Sequence, residues 1–329
     1  MRPALRLAAA LLGAAPVGAA AQAPHLNPMI DLHAAGKPVL GLYAPSNPRP
    51  RPAAPGAAAA PVPTTPLKTA AELARDALAA RAADFIFDGA MEHDFERGYA
   101  PFAAFAQGVA AAGARTADGR LRLPLAVKTP EIAPDPALAK ARIARQLDLG
   151  VSTIVFVGVE SPDELRTGLA AMRYARSGGT RPAGVGSAPA LWGLSDAAYR
   201  AKADVWPLNP AGELTAWAIV ESKPGLARVR EIAAVKGISV LFPGAGTLRG
   251  VFTTVDSAAG TRTFDAAAWE GAIQQVLAAC KEFRVPCGYP ANDPATVQQR
   301  MAQGFTVFIA GWGDNGFRAM EAGRRAGGR

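Results

Sequence analysis

The sequence predicts an α/β protein built as a (β/α)8 TIM barrel, and three observations predict it. Short apolar runs of strand length alternate with helical patterns along most of the 329 residues. The alternation counts eight strand–helix units, the number that closes a parallel sheet on itself. No phosphate-binding glycine fingerprint follows the first strand, as an open dinucleotide-binding sheet would need. Gly244-Ala245-Gly246 with Gly250 lacks that spacing.

The elements follow in order. Pro38–Tyr43 reads as a short buried strand. Thr69–Arg81 has a threonine start and helical apolar spacing. Asp84–Asp88 is a strand, with a helix over Tyr99–Ala112. Leu121–Lys128 is a strand and Pro136–Leu149 a helix with basic residues on one face. Ser152–Val157 is rich in β-branched residues, which suits burial on both faces. Ser161-Pro162-Asp163-Glu164 opens the next helix, with serine at the N-cap, proline at N1 and glutamate at N3. Ser177 to Glu213 reads as a long irregular segment rich in Gly, Pro and Trp. Strand Thr215–Val220, helix Gly225–Val235 and strand Ile238–Phe242 follow, then a long amphipathic helix Phe264–Phe283. Strand Val285–Tyr289, helix Ala295–Gln303, strand Phe305–Ala310 and helix Phe317–Arg325 close the chain.

The domain reading is a signal peptide at 1–23, an N-terminal segment at 24–37 and a barrel over 38–329, carrying a Pro/Ala-rich insert at 44–66. Met1 to Ala23 has Arg2 and Arg6, an apolar stretch and small residues at its end, the pattern of a secretory leader. The mature chain is therefore expected in the periplasm or outside the cell, with its charge reduced from +8 to +6. Nothing later reaches membrane-spanning length, so no integral membrane protein is expected. Basic residues are scattered rather than interleaved with aromatics, which argues against nucleic acid. Two cysteines exclude a disulfide-dense scaffold. Cys280 and Cys287 are close enough in sequence to bridge, but two buried free thiols are the commoner outcome for such a pair.

In a barrel, chemistry sits where strands end and βα loops begin. Asp88 with Glu92 and His93, Lys128, Glu160, Glu221, the Pro243–Gly246 turn, and Trp312 with Asp314 all fall there. Carboxylates, an imidazole and an ammonium on one rim suit a small carboxylate or carbonyl substrate, with a hard divalent metal. Each has a plainer reading too. Lys128 can snorkel at the rim, and Glu160 can complement the dipole of the helix it precedes.

From Pro38 to Arg325 the chain resembles the HpcH/HpaI aldolase family, within the citrate lyase-like, pyruvate-dependent barrels. Met91-Glu92-His93, Val127-Lys128-Thr129-Pro130, Gly184–Ala188, Ile219-Val220-Glu221 and Pro243–Gly246 carry the resemblance. It implies a carbon–carbon lyase that cleaves a 2-oxo acid through a metal-stabilised enolate, in a homo-oligomer, usually a hexamer. By position, His93 matches the catalytic histidine and acts as general base. Lys128 stands where the family has arginine and stabilises the developing oxyanion. Glu221 matches the first metal-ligand carboxylate. The second, an aspartate in the family, falls on Gly246. A relocated second carboxylate, Glu160, would restore a Mg or Mn site with Glu221. Glu92 and the backbone N–H groups of Ala245 and Gly246 would bind substrate. A Schiff base on Lys128 is disfavoured, since nothing in the sequence marks an apolar pocket around it. The alternative is an altered barrel that binds a small carboxylic acid without metal-dependent turnover.

Overall fold

The computed structural model describes residues 23–47 and 66–329. The leader and most of the Pro/Ala-rich insert lie outside the described residues. Eight strands form one curled parallel sheet: β1 (Val39–Tyr43), β2 (Phe85–Asp88), β3 (Leu125–Thr129), β4 (Thr153–Phe156), β5 (Leu214–Val220), β6 (Val240–Pro243), β7 (Gly288–Pro290) and β8 (Val307–Ala310). Their spatial order is β7-β8-β1-β2-β3-β4-β5-β6, with the two-residue strand Val205–Trp206 beside the start of β5. The edges β6 and β7 meet through one parallel bridge between Leu241 and Cys287, where the Leu241 N–H donates to the Pro286 carbonyl at 3.0 Å.

The period-two alternation of the strands divides the core. One set of side chains, among them Phe85, Phe87, Val155, Trp217, Ile219, Phe242, Val307 and Ile309, fills the inside of the curl. The other set packs against the helices. Phe85 and Trp217 meet edge to face, with ring centroids 5.0 Å apart. Gly41 makes this filling possible, because a Cβ there would lie 2.1 Å from the Phe85 ring.

Helix starts follow the local chemistry of the sequence. Thr69 and Glu72 form a reciprocal capping box ahead of helix Ala70–Ala79. The Ser161 hydroxyl accepts from the Glu164 N–H ahead of helix Pro162–Met172, as its Ser-Pro-Asp-Glu run predicts. Asp94 caps helix Phe95–Ala111, four residues earlier than the apolar pattern alone places it. Pro124 delays the third strand to Leu125.

Strict alternation does not hold. The expected irregular segment contains helices Ala188–Trp192 and Asp196–Lys202. A helix Pro28–Ala34 precedes β1 and inserts Met29 among the inner side chains. Helix Ala245–Val251 and the antiparallel hairpin Thr253–Asp256/Thr261–Phe264 follow β6. The expectation of free thiols is corrected as well. Cys280 and Cys287 form a disulfide, because the end of helix Ala266–Phe283 and the approach to β7 bring their Cα atoms to 5.7 Å. No helix among the described residues is long and apolar enough to cross a membrane.

Candidate functional site

All eight strands run the same way, so their C-terminal ends share one rim. A cavity of about 210 Å³ opens there. Lys128 from β3, Glu221 after β5 and Gly244–Thr247 after β6 line it, with Tyr43, Phe87, Ile219, Phe242, Pro290 and Ile309 as largely apolar walls.

Lys128 is held from two sides. Its backbone carbonyl accepts from Gln146 Nε2 at 2.9 Å. Its ammonium donates to both Glu92 oxygens, at 2.9 and 2.8 Å. The side chains are only 16% and 15% exposed, so this pair is screened far less than a surface ion pair. Glu221 is fixed by a hydrogen bond from the Gly158 N–H to its Oε1, 3.0 Å. Residue 244 must be glycine for that carboxylate to fit, since a Cβ there would lie 2.6 Å from Glu221 Oε2. The next turn starts helix Ala245–Val251, anchored where Trp269 Nε1 donates to the Ala245 carbonyl at 2.9 Å.

The structure thus brings Lys128, Glu221, Ala245 and Gly246 to one cavity, with Glu92 paired to Lys128 behind it. His93 and Glu160 stand apart from its lining. The His93 side chain is 91% exposed, and its Nε2 lies 3.8 Å from Glu92 Oε2. Glu160 is exposed and accepts from the Ser222 hydroxyl at 2.6 Å.

Tyr43, at the end of β1, is a wall residue that reading of the sequence missed. Burial and then the Glu92 and Asp88 carboxylates raise its phenol above the ordinary tyrosine value. Its ring packs edge to face on Phe87, 4.9 Å between centroids. The signal was available, because Tyr43 closes a run of apolar strand residues at the C-terminal rim.

A hard divalent ion takes about six or more oxygen ligands, usually with several carboxylates or waters among them. The cavity offers one carboxylate, Glu221, beside the Lys128 ammonium. Among the described residues, no three His, Cys, Asp or Glu side chains cluster to hold a metal ion. The donor set present does not fit a divalent metal. Residue 246 is where a second carboxylate would reach the cavity, and a Cβ there would meet no atom within 4 Å.

Comparison with known proteins identifies the family and supports the fold. A family model described as HpcH/HpaI aldolase/citrate lyase matches residues 125–322. The chain is 29% identical over 168 residues to a hydroxypyruvate/pyruvate aldolase of Sagittula stellata, covering 51% of this chain and 60% of that protein. It is 27% identical over 171 residues to a 2-dehydro-3,6-dideoxy-6-sulfogluconate aldolase of Pseudomonas putida, covering 52% and 60%. The matched region thus spans 60% of the length of each of these relatives. Among solved structures, an HpcH/HpaI aldolase/citrate lyase family protein of Burkholderia cenocepacia superposes with a TM-score of 0.62 at 22% identity, covering 91% of this chain and 97% of that one. An HpcH/HpaI aldolase of Desulfitobacterium hafniense gives 0.58 at 17% identity, covering 86% and 90%.

Proposed function

The chain belongs to the HpcH/HpaI aldolase/citrate lyase family, and from that premise we propose that it is a carbon–carbon lyase acting on a pyruvate-type 2-oxo acid. One observation carries the reading: the Lys128 ammonium, clamped by both Glu92 oxygens, faces the same strand-end cavity as Glu221. The aldolase relatives support the reaction class, and the largely apolar walls suit a small substrate held by few polar contacts.

In the cleavage direction, a base removes the proton of the substrate hydroxyl. The adjacent carbon–carbon bond breaks, an aldehyde leaves, and the bond's electron pair passes to the 2-oxo group as an enolate. Lys128 faces that oxygen and neutralises its growing charge without reorganising, because Glu92 already fixes the ammonium. Glu221 takes the hydroxyl proton inside the cavity. His93, at the solvent rim beside Glu92, exchanges protons with water. Glu221 then returns that hydroxyl proton to the enolate carbon to give the 2-oxo acid product. The N–H groups of Ala245 and Gly246 bind the substrate carboxylate. No step passes through a divalent ion, since Glu160 stands outside the cavity and Gly246 supplies no ligand.

We further read the eight strands as a closed barrel, supported by the Leu241–Cys287 bridge between its edges. Residues from Pro38 onward make one domain, which assembles as a homo-oligomer. The Cys280–Cys287 disulfide supports export to an oxidising compartment. The single cavity carboxylate favours the second reading, a barrel that binds a small acid without turning it over. Calorimetry with pyruvate and oxalate, run beside an oxaloacetate decarboxylation assay, separates the two. Turnover that falls about 100-fold in Lys128→Met supports the lyase, the scale of losing one oxyanion donor. Binding of oxalate with no turnover in the unaltered protein would replace it with the binding reading.

A further inference from the structure

We propose a second ligand site, specific for a tetrahedral oxyanion such as phosphate or a phosphate ester, at the opposite end of the sheet from the strand-end cavity. A pocket of about 200 Å³ lies there, at the N-terminal ends of the strands. His33 and Lys37 come from the segment before β1, Pro286 and Cys287 from the approach to β7, and Thr306 from the residue before β8.

Two features point to an anion. The first is charge: Lys37, Lys281 and Arg284 line the pocket and no carboxylate does. Among the described residues, none of the three takes part in an ion pair. Lys281 lies across Gly304, where its Cε is 2.9 Å from the position a Cβ would take. The second is unmet hydrogen bonding. His33 Nε2 and Thr306 Oγ1 are buried atoms without a partner, and both residues line the same pocket. His33 is more than nine-tenths buried. Lone buried polar atoms are costly, and two in one cationic pocket await an acceptor that both can serve. An oxyanion accepts from an imidazole N–H and a hydroxyl and is neutralised by the rim. Cations placed only to complement the end of helix Ala266–Phe283 would leave those two atoms unexplained.

Arg284 is the residue to test. It caps that helix in the left-handed conformation, φ 56° and ψ 37°, where glycine sits without strain. Arg284→Gly therefore removes the charge while relieving the backbone. The probe is inorganic phosphate titrated into the whole protein by calorimetry at low salt. We expect Arg284→Gly to weaken phosphate binding at least tenfold and Thr306→Val severalfold, with oxaloacetate turnover unchanged in both. Equal affinity in the unaltered protein and both variants would overturn the site. So would phosphate that competes with pyruvate, since it would then occupy the strand-end cavity. Phenyl phosphate identifies the source of the anion. An adjoining groove of about 530 Å³ shares Arg284, Val285 and Pro286 and carries Trp206, Leu208 and Phe283. Tighter binding of phenyl phosphate than of phosphate assigns the site to an ester whose body enters that groove. Equal binding assigns it to the free ion.

Discussion

Replacing Gly246 by aspartate should give the strand-end cavity the metal affinity its present donor set lacks. The substitution has room, because a Cβ at residue 246 meets no atom within 4 Å. Gly246 is the second residue of helix Ala245–Val251. Removing a helical glycine gains about 0.5–1 kcal/mol, and an acidic group in a first turn adds about 0.3–1 kcal/mol. Repulsion from the neighbouring Glu221 carboxylate opposes both, so metal-free stability should change by no more than about 1 kcal/mol. A divalent ion reverses that repulsion. Two unit charges about 4 Å apart in an effective dielectric of about 20 attract by about 4 kcal/mol, and a dication doubles this before desolvation is subtracted. We expect about 1.4–2.8 kcal/mol to survive, a 10- to 100-fold gain in Mn affinity. Calorimetric titration of Mn into both proteins, with and without oxalate, reads it directly. A folded Gly246→Asp variant that binds Mn no better than the unaltered protein would refute the idea that residue 246 limits the site.

Three further outcomes follow from the fold. Cys280→Ser with Cys287→Ser opens a loop with a sequence separation of 7, and chain entropy predicts a loss of about 2.5 kcal/mol, read as a lower urea midpoint. An unchanged midpoint would mean the bridge adds nothing. Burial pushes the His33 imidazole down to about 4, below the ordinary 6.5. The unfolded chain therefore binds an extra proton between these values, and stability must drop as pH falls from about 6.5 to 4. The gap is worth about 3 kcal/mol, and His33→Gln should flatten that part of the stability profile; parallel profiles would contradict it. Asp84 accepts from Arg324 at 2.7 Å, from Arg329 and from the Leu40 N–H at 2.9 Å, tying the last helix to β1. Asp84→Asn leaves two guanidinium groups without their carboxylate and should cost about 3 kcal/mol in thermal unfolding. A cost below about 1 kcal/mol would show the pairs to be solvent-screened.

Much of the fold was legible because the signals are local. The β-branched run Ser152–Val157 and the stretch Thr215–Val220, apolar after its first residue, suit strands buried on both faces, and both lie in the sheet within a residue or two of the expected bounds. The caps at Thr69 and Ser161 depend on residues three apart, so the sequence contains them whole. Short helices in the 177–213 segment were not legible, since five to seven residues are too few for a periodic signal and tertiary packing alone stabilises them. In the site, Lys128 and Glu221 were legible as polar residues closing apolar strands. The Glu92–Lys128 clamp and the outward position of Glu160 were not.

By itself the sequence determined which residues reach the rim, because a strand's apolar period fixes where it ends and which way each side chain points. Only the tertiary structure decided which of those residues share a cavity. The curl of the sheet sets distances between strands that are far apart in sequence, and the βα loops then turn some side chains inward and others to solvent. That is why Lys128 and Glu221 share one wall of apolar side chains while His93 and Glu160 face water. It is also why Cys280 and Cys287, spaced for either outcome in the chain, are joined.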